Sequence, residues 1–168
     1  ATKNIVKSPI INLYNFFGYY QIKSITPEFI FEKNNADKMA VIAHFRGGDF
    51  IKHKNTLDIK YYDKCIKLMK NHTNAQMYGI TNDPDFFANF KKFGFIDASK
   101  SFIADFNTIK RHKFVICSNS TFALIASIQN IEEKIVFVPS ELQKLFSKNF
   151  LLKYSKNLMF ITPENVPK

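Results

Sequence analysis

Apolar residues in this chain fall in short blocks whose internal spacing changes along the sequence. Met39 to Phe45 (MAVIAHF) is a continuous apolar run of the length expected for a buried strand. Within residues 58 to 70 the apolar positions Ile59, Tyr62, Ile66 and Met69 share one helical face, and Asp58 stands where an N-cap is needed. Ala75 to Ile80 reads as a second strand. A helix from Pro84 to Phe93 follows, with proline in the first turn, where its missing N–H does no harm. Phe102 to His112 predicts a helix, Phe114 to Cys117 a strand, Phe122 to Ile128 a helix and Ile135 to Val138 a strand. Ser140 is expected to cap the next helix, and Leu158 to Thr162 to add a last strand. Strands alternating with helices predict an α/β fold: a Rossmann-like parallel sheet with helices on both faces. Residues 1–38, broken by Pro9 and Pro27 and ending in the polar stretch Glu32 to Lys38, read as an irregular segment from a preceding half or linker. Residues 39–168 form the expected domain.

Composition narrows the function. A chain of 168 residues is one domain by length and buries a sizeable core, in which 19 phenylalanines need a place. The net charge of +10 attracts polyanions, phosphorylated small molecules among them. Only Arg46 and Arg111 among the 24 basic residues are arginine. Nucleic-acid readers favour arginine forks alongside lysine. The excess of Lys, Asn, Ile and Phe also matches an AT-rich coding sequence. Most of the charge therefore reads as a solvated lysine surface, and nucleic acid is not the expected partner. Cys65 and Cys117 lie apart in apolar segments, outside any CxxC pair, and are expected as buried reduced thiols. The four histidines, His44, His53, His72 and His112, lack metal-ligand spacing, so no metal site is expected. The longest apolar runs are too short to span a bilayer. With Ala1 in place of an initiator Met, a fragment or a processed chain is the expectation.

Three stretches that follow predicted strands carry the candidate chemistry, and in such a sheet they share the carboxyl rim where ligands bind. In His44-Phe45-Arg46-Gly47-Gly48-Asp49, Arg46 offers a planar fork for phosphate, the glycines let the backbone turn sharply and approach a ligand, and Asp49 orients the arginine or the loop. In Ser118-Asn119-Ser120-Thr121-Phe122, a strand end opens a helix where free N–H groups favour an anion, and hydroxyls of Ser120 and Thr121 add donors. Ordinary helix capping explains the same serine and threonine. Among the acids, Asp83 and Asp105 are candidates to accept the paired N–H groups of a guanine edge. Turn and cap chemistry around Pro84 is the competing explanation, preferred for Asp85, and an exposed helical position is the competing explanation for Asp105. The stripe Phe86, Phe87, Phe90 and Phe93 is expected as core packing.

In this order, HFRGGDF, YYDKCIKLM, TNDPDFF, ADFNTIKRHKFVIC and SNSTFALIAS resemble the motifs of the α-1,2-fucosyltransferase family, and Gly18-Tyr19-Tyr20-Gln21 resembles an upstream element of it. The resemblance runs from about Leu13 to Leu145. It implies the donor-binding half of a GT-B type glycosyltransferase that transfers fucose from GDP-fucose to a galactoside-containing glycan, with inversion and without a metal or other cofactor. By position, Arg46 would bind the pyrophosphate and, with Asp49 supporting its loop, form the catalytic pair. His44, Asp83, Asp105, Asn119, Ser120 and Thr121 would complete the nucleotide site. Gly47 stands where the family often has a second arginine, Ala123-Leu124 replaces its usual Ser-Trp, and its N-terminal half is missing, which implies a larger parent chain. A non-catalytic nucleotide- or glycan-binding module derived from such an enzyme is the alternative. The implied location is the cytoplasm or the cytoplasmic face of the membrane in a bacterium, with the basic surface holding the protein peripherally, and the Golgi lumen in a eukaryote.

Overall fold

The computed structural model describes residues 38–162; the expected N-terminal segment with Gly18-Tyr19-Tyr20-Gln21, and residues 163–168, lie outside the described residues. Six strands run in chain order: β1 Lys38–Phe45, β2 Met77–Thr81, β3 Ile96–Asp97, β4 His112–Ile116, β5 Ile135–Pro139 and β6 Leu158–Ile161. They form one sheet in the order β3-β2-β1-β4-β5-β6, and every pairing is parallel. Between them lie α1 Asp49–Lys52, α2 Ile59–Met69, α3 Pro84–Ala88, α4 Phe102–Arg111, α5 Thr121–Ser127 and α6 Lys148–Tyr154. This is the Rossmann-like α/β arrangement that the alternating pattern predicts.

Both faces of the sheet are covered, which is why the strands read as unbroken apolar runs rather than as alternating ones. Val41, Ala43 and Phe45 of β1 point into a cluster with Tyr61, Tyr62, Cys65 and Met69 of α2 and Phe87 of α3. Ile42, Val115 and Val136 point the other way, against Phe106 and Ile109 of α4 and Leu124 and Ile125 of α5. Many of the phenylalanines find their place here. The Phe45 ring alone lies 4.5 Å from Tyr62, 4.6 Å from Phe90, 5.0 Å from Phe95 and 5.2 Å from Phe87. Phe87 and Phe90 are fully buried and Phe86 and Phe93 half-buried, so the stripe is core packing. Cys65 and Cys117 are buried free thiols, each pushed up to about 12 by burial and so held protonated.

The elements depart from expectation in several places. The helix from Pro84 ends at Ala88 instead of Phe93; a 3-10 turn, Lys91–Phe93, and left-handed Gly94 (φ 91°) then bring Phe95 back onto Phe45 beside Phe90, which a straight helix would not do. Ser140 does not cap a helix. It opens a 3-10 segment, Ser140–Leu145, whose three-residue period buries both Leu142 and Leu145, and Ser147 caps α6 instead by accepting from the Phe150 N–H at 3.2 Å. Strand β3 has two residues, both exposed, and so leaves no apolar signal; it exists as an edge laid on β2. Strand β4 begins at His112, two residues early, because Lys38 of β1 pairs with it there.

Candidate functional site

In this strand order β1 is flanked by β2 on one side and β4 on the other, so the winding of the chain reverses between β1 and β4. The loops leaving those two strands part to opposite faces, and a crevice opens between them at the carboxyl rim. HFRGGD leaves β1 and CSNSTF leaves β4, so these two motifs line the crevice, and TNDPD leaves β2 next door.

The two strand ends are pinned by consecutive tyrosines of α2. Tyr61 donates its hydroxyl to the Cys117 carbonyl at 2.6 Å, and Tyr62 donates to the His44 carbonyl at 2.9 Å. Both rings are buried. The helical-face reading found Tyr62 and missed Tyr61. The signal was there in the pairing itself, since two adjacent aromatics widen the buried stripe beyond a single ridge.

His44 is buried, with Nδ1 2.7 Å from the Ser118 hydroxyl, which also accepts the Ser120 N–H at 3.2 Å. Burial, helped by the Arg46 charge, pushes its pKa down to about 3, so the ring is neutral near neutral pH. With Nδ1 engaged, Nε2 is the ring position left for a ligand. Phe122 lies 5.6 Å from the His44 ring and also touches Phe102 and Phe106, at 4.7 and 5.7 Å, which joins the start of α5 to α4.

Arg46 is half-buried. Its guanidinium lies 4.9 Å above the Phe50 ring and donates through Nη2 to the Asp49 carboxylate at 2.9 Å. Its Nε is buried and, among the described residues, has no hydrogen-bond partner. A buried donor left unpaired is costly in a finished fold and is the usual mark of a missing ligand or solvent contact.

The two glycines make the expected sharp turn, and their N–H groups face a neighbouring loop. A Cβ on Gly47 would lie 2.7 Å from the Asp83 Cβ and 2.8 Å from the Phe86 Cβ, so position 47 has no room for a side chain. Gly48 adopts φ 59° and ψ −117°, a conformation for glycine alone. Both N–H groups are already used: Gly47 donates to Asn82 Oδ1 at 3.1 Å and Gly48 to Asp83 Oδ2 at 2.8 Å. Asp83 also accepts the Phe86 N–H at 3.0 Å and is the cap of α3, while Asp85 stands exposed in its first turn. These backbone donors, Phe86 first and then Gly48, hold the Asp83 carboxyl below its ordinary value. Asp83 thus fastens the β2 loop to the β1 loop.

Asp105 is buried, not exposed on its helix, and accepts the Lys100 N–H at 2.7 Å. Burial raises its pKa while that N–H opposes the rise. Asn119 donates to the Asn55 carbonyl at 2.7 Å, which ties the β4 loop to the β1 loop; its Oδ1 is buried and, among the described residues, unpartnered. Ser120 is the buried N-cap residue of α5, though its hydroxyl does not cap the helix, and Thr121 is the half-buried first helical residue. Beside Asn119 a cavity of about 320 Å³ opens between the loops that leave β1, β4 and β5.

No family model, curated protein or solved structure matches this chain.

This end of the sheet thus holds an arginine and an amide that each have one atom unpartnered among the described residues, and a neutral histidine. It lies where open parallel sheets bind their ligands.

Proposed function

We propose that the crevice between β1 and β4 binds the diphosphate of a nucleotide sugar, and that the chain is the donor-binding half of a fucosyltransferase that uses GDP-fucose. The observation that carries this reading is Arg46: a half-buried guanidinium at the switch point, aligned by Asp49 and Phe50, with its Nε lacking a partner among the described residues. A fork held in this way meets two phosphate oxygens with little further loss of freedom, and in transfer it would neutralise the charge that develops on the departing diphosphate. Neutral His44 supplies a donor or acceptor beside it without adding charge. The acceptor in this reading is a galactoside-containing glycan, and the GT-B relationship stands or falls with the donor.

Calorimetric titration with GDP, GDP-fucose and ADP tests the reading. Guanine-selective binding that weakens at least about thirtyfold in Arg46→Ala, the loss expected when one partner of a charge-assisted pair is removed, is the expected result. Equal affinity for GDP in the parent and Arg46→Ala would overturn it.

A second reading, a module that binds the nucleotide sugar or a glycan without turnover, is favoured by Gly47. The related family often has a second arginine there, and here any side chain would strike Asp83 and Phe86. Fucose transfer to lactose by the parent chain, followed by chromatography, separates the two: product supports the enzyme, and donor binding without product supports the module.

A further inference from the structure

The outward face of α6 takes no part in the crevice. Phe150 is buried, and Leu151 and Tyr154 pack against the same core cluster, so these three fix the inner side of the helix. At about 100° per residue, Lys148, Asn149, Leu152 and Lys153 fall on the opposite side, and all four are exposed. Leu152 is 79% exposed, more than any other large apolar side chain among the described residues. A single exposed leucine is ordinary. What distinguishes this one is its setting. Lys148 stands one turn before it, Lys153 beside it, and exposed Lys156 follows just past the Ser155 C-cap.

No carboxylate offsets these lysines. From Leu142 to Pro163 the chain carries Lys144, Lys148, Lys153 and Lys156 and no acidic residue. None of the four forms an ion pair among the described residues. In α2, by contrast, Lys67 is paired with Asp63 at 2.7 Å. The Lys153 ammonium instead lies 5.1 Å above the Tyr154 ring.

The mixture of charge and hydrocarbon selects the partner. A nucleic acid meets the lysines but leaves Leu152 facing phosphate and water. An anionic bilayer takes both. The leucine enters the acyl boundary, while lysine stems follow apolar surface and their ammonium groups stay among the headgroup phosphates. With seven residues α6 is far too short to cross a bilayer, so its contact is that of a helix lying in the interface. We infer that the outward face of α6 is a docking surface for an anionic phospholipid membrane, with Leu152 inserted and Lys148, Lys153 and Lys156 on the headgroups. The inference is independent of what the crevice binds.

Flotation of the full chain with two kinds of vesicle tests it: phosphatidylcholine alone, and equal parts phosphatidylcholine and phosphatidylserine. Binding to the mixed vesicles alone is expected, and it should weaken as salt is added. Leu152→Ser should weaken it about tenfold. Lys148→Gln with Lys153→Gln should weaken it about 25-fold, roughly fivefold for each lysine. Lys91→Gln with Lys92→Gln removes the same charge from an exposed turn elsewhere and should bind as the parent does. All five side chains are exposed, so these changes leave the core untouched. Absence of vesicle binding, or equal binding to both kinds of vesicle, overturns the inference. So does an equal loss in the Lys91 and Lys92 variant, which would assign the effect to net charge. Single-stranded DNA bound through the α6 lysines, unaffected by Leu152→Ser and without vesicle binding, assigns the face to nucleic acid and also overturns it.

Discussion

At the amino end of the sheet a buried lysine is enclosed by carbonyls, whereas at the carboxyl end a half-buried arginine keeps one donor unpaired among the described residues. Lys134, just ahead of β5, is almost wholly inaccessible and donates to the carbonyls of Ile109 and Ser127, both at 3.3 Å, in the last turns of α4 and α5. Carbonyls that end a helix lack partners within it, and an ammonium satisfies them and complements the helix dipole. Nearby, Asn157 gives its amide hydrogens to the carbonyls of Glu132 and Lys134. Arg46, at the opposite end, shares its guanidinium between one aspartate and a ring face and keeps Nε unpaired among the described residues. The comparison teaches how differently two cations are held: Lys134 is enclosed by helix-end carbonyls, whereas Arg46 stays half-buried with one donor unpaired among the described residues.

The largest expected break in this comparison is Lys134→Ala. It takes a donor from the Ile109 and Ser127 carbonyls, of which Ile109 keeps the His112 N–H, and opens a hole in a buried site, so urea denaturation should show a loss of about 3 kcal/mol, while GDP affinity of the folded protein stays as in the parent. A second effect concerns pH at the other end. The His44 pKa is lowered from 6.5 to about 3, so the native state resists protonation of this ring. The stability gained by keeping it neutral is present above 6.5 and is lost as pH falls through the interval toward about 3. His44→Gln should therefore lose less stability than the parent across that interval, and parallel pH profiles would count against a buried neutral imidazole. The smallest effect is Tyr61→Phe, which removes the hydroxyl bound to Cys117. A cost of about 1 kcal/mol is expected, with amide shifts confined to the carboxyl rim near residues 117–120; shifts that spread to Lys134 would show that the two ends are not separable.

Much of the fold was legible because a parallel sheet covered on both faces writes its strands as continuous apolar runs. β1, β2, β4, β5 and β6 all announce themselves this way, and the motifs that follow three of them were placed on one rim for that reason. β3 was illegible because an exposed two-residue edge has no apolar requirement. Ser140 misled because a serine ahead of apolar residues marks a cap only if the segment is an α-helix, and the three-residue spacing of Leu142 and Leu145 already favoured a 3-10 turn. In the candidate site, the identity of the rim residues was readable but their division of labour was not. Asp83 and the glycines bind one another across the β1 and β2 loops, and Asp105 is buried against a local N–H. The β1–β2 contacts join loops 35 residues apart, which local spacing does not encode, and the Asp105 contact depends on how the segment ahead of α4 folds back on it.

The glycine pair has a consequence for how this site changes over generations. Because Asn82 and Asp83 occupy the N–H groups of Gly47 and Gly48, the turn itself offers an incoming anion none of the backbone donors that make other glycine loops tolerant of side-chain loss. On the reading proposed above, recognition of charge would be concentrated in one replaceable side chain, and a lineage that lost Arg46 would lose its anion in a single mutational step while keeping the β1–β2 loop contacts.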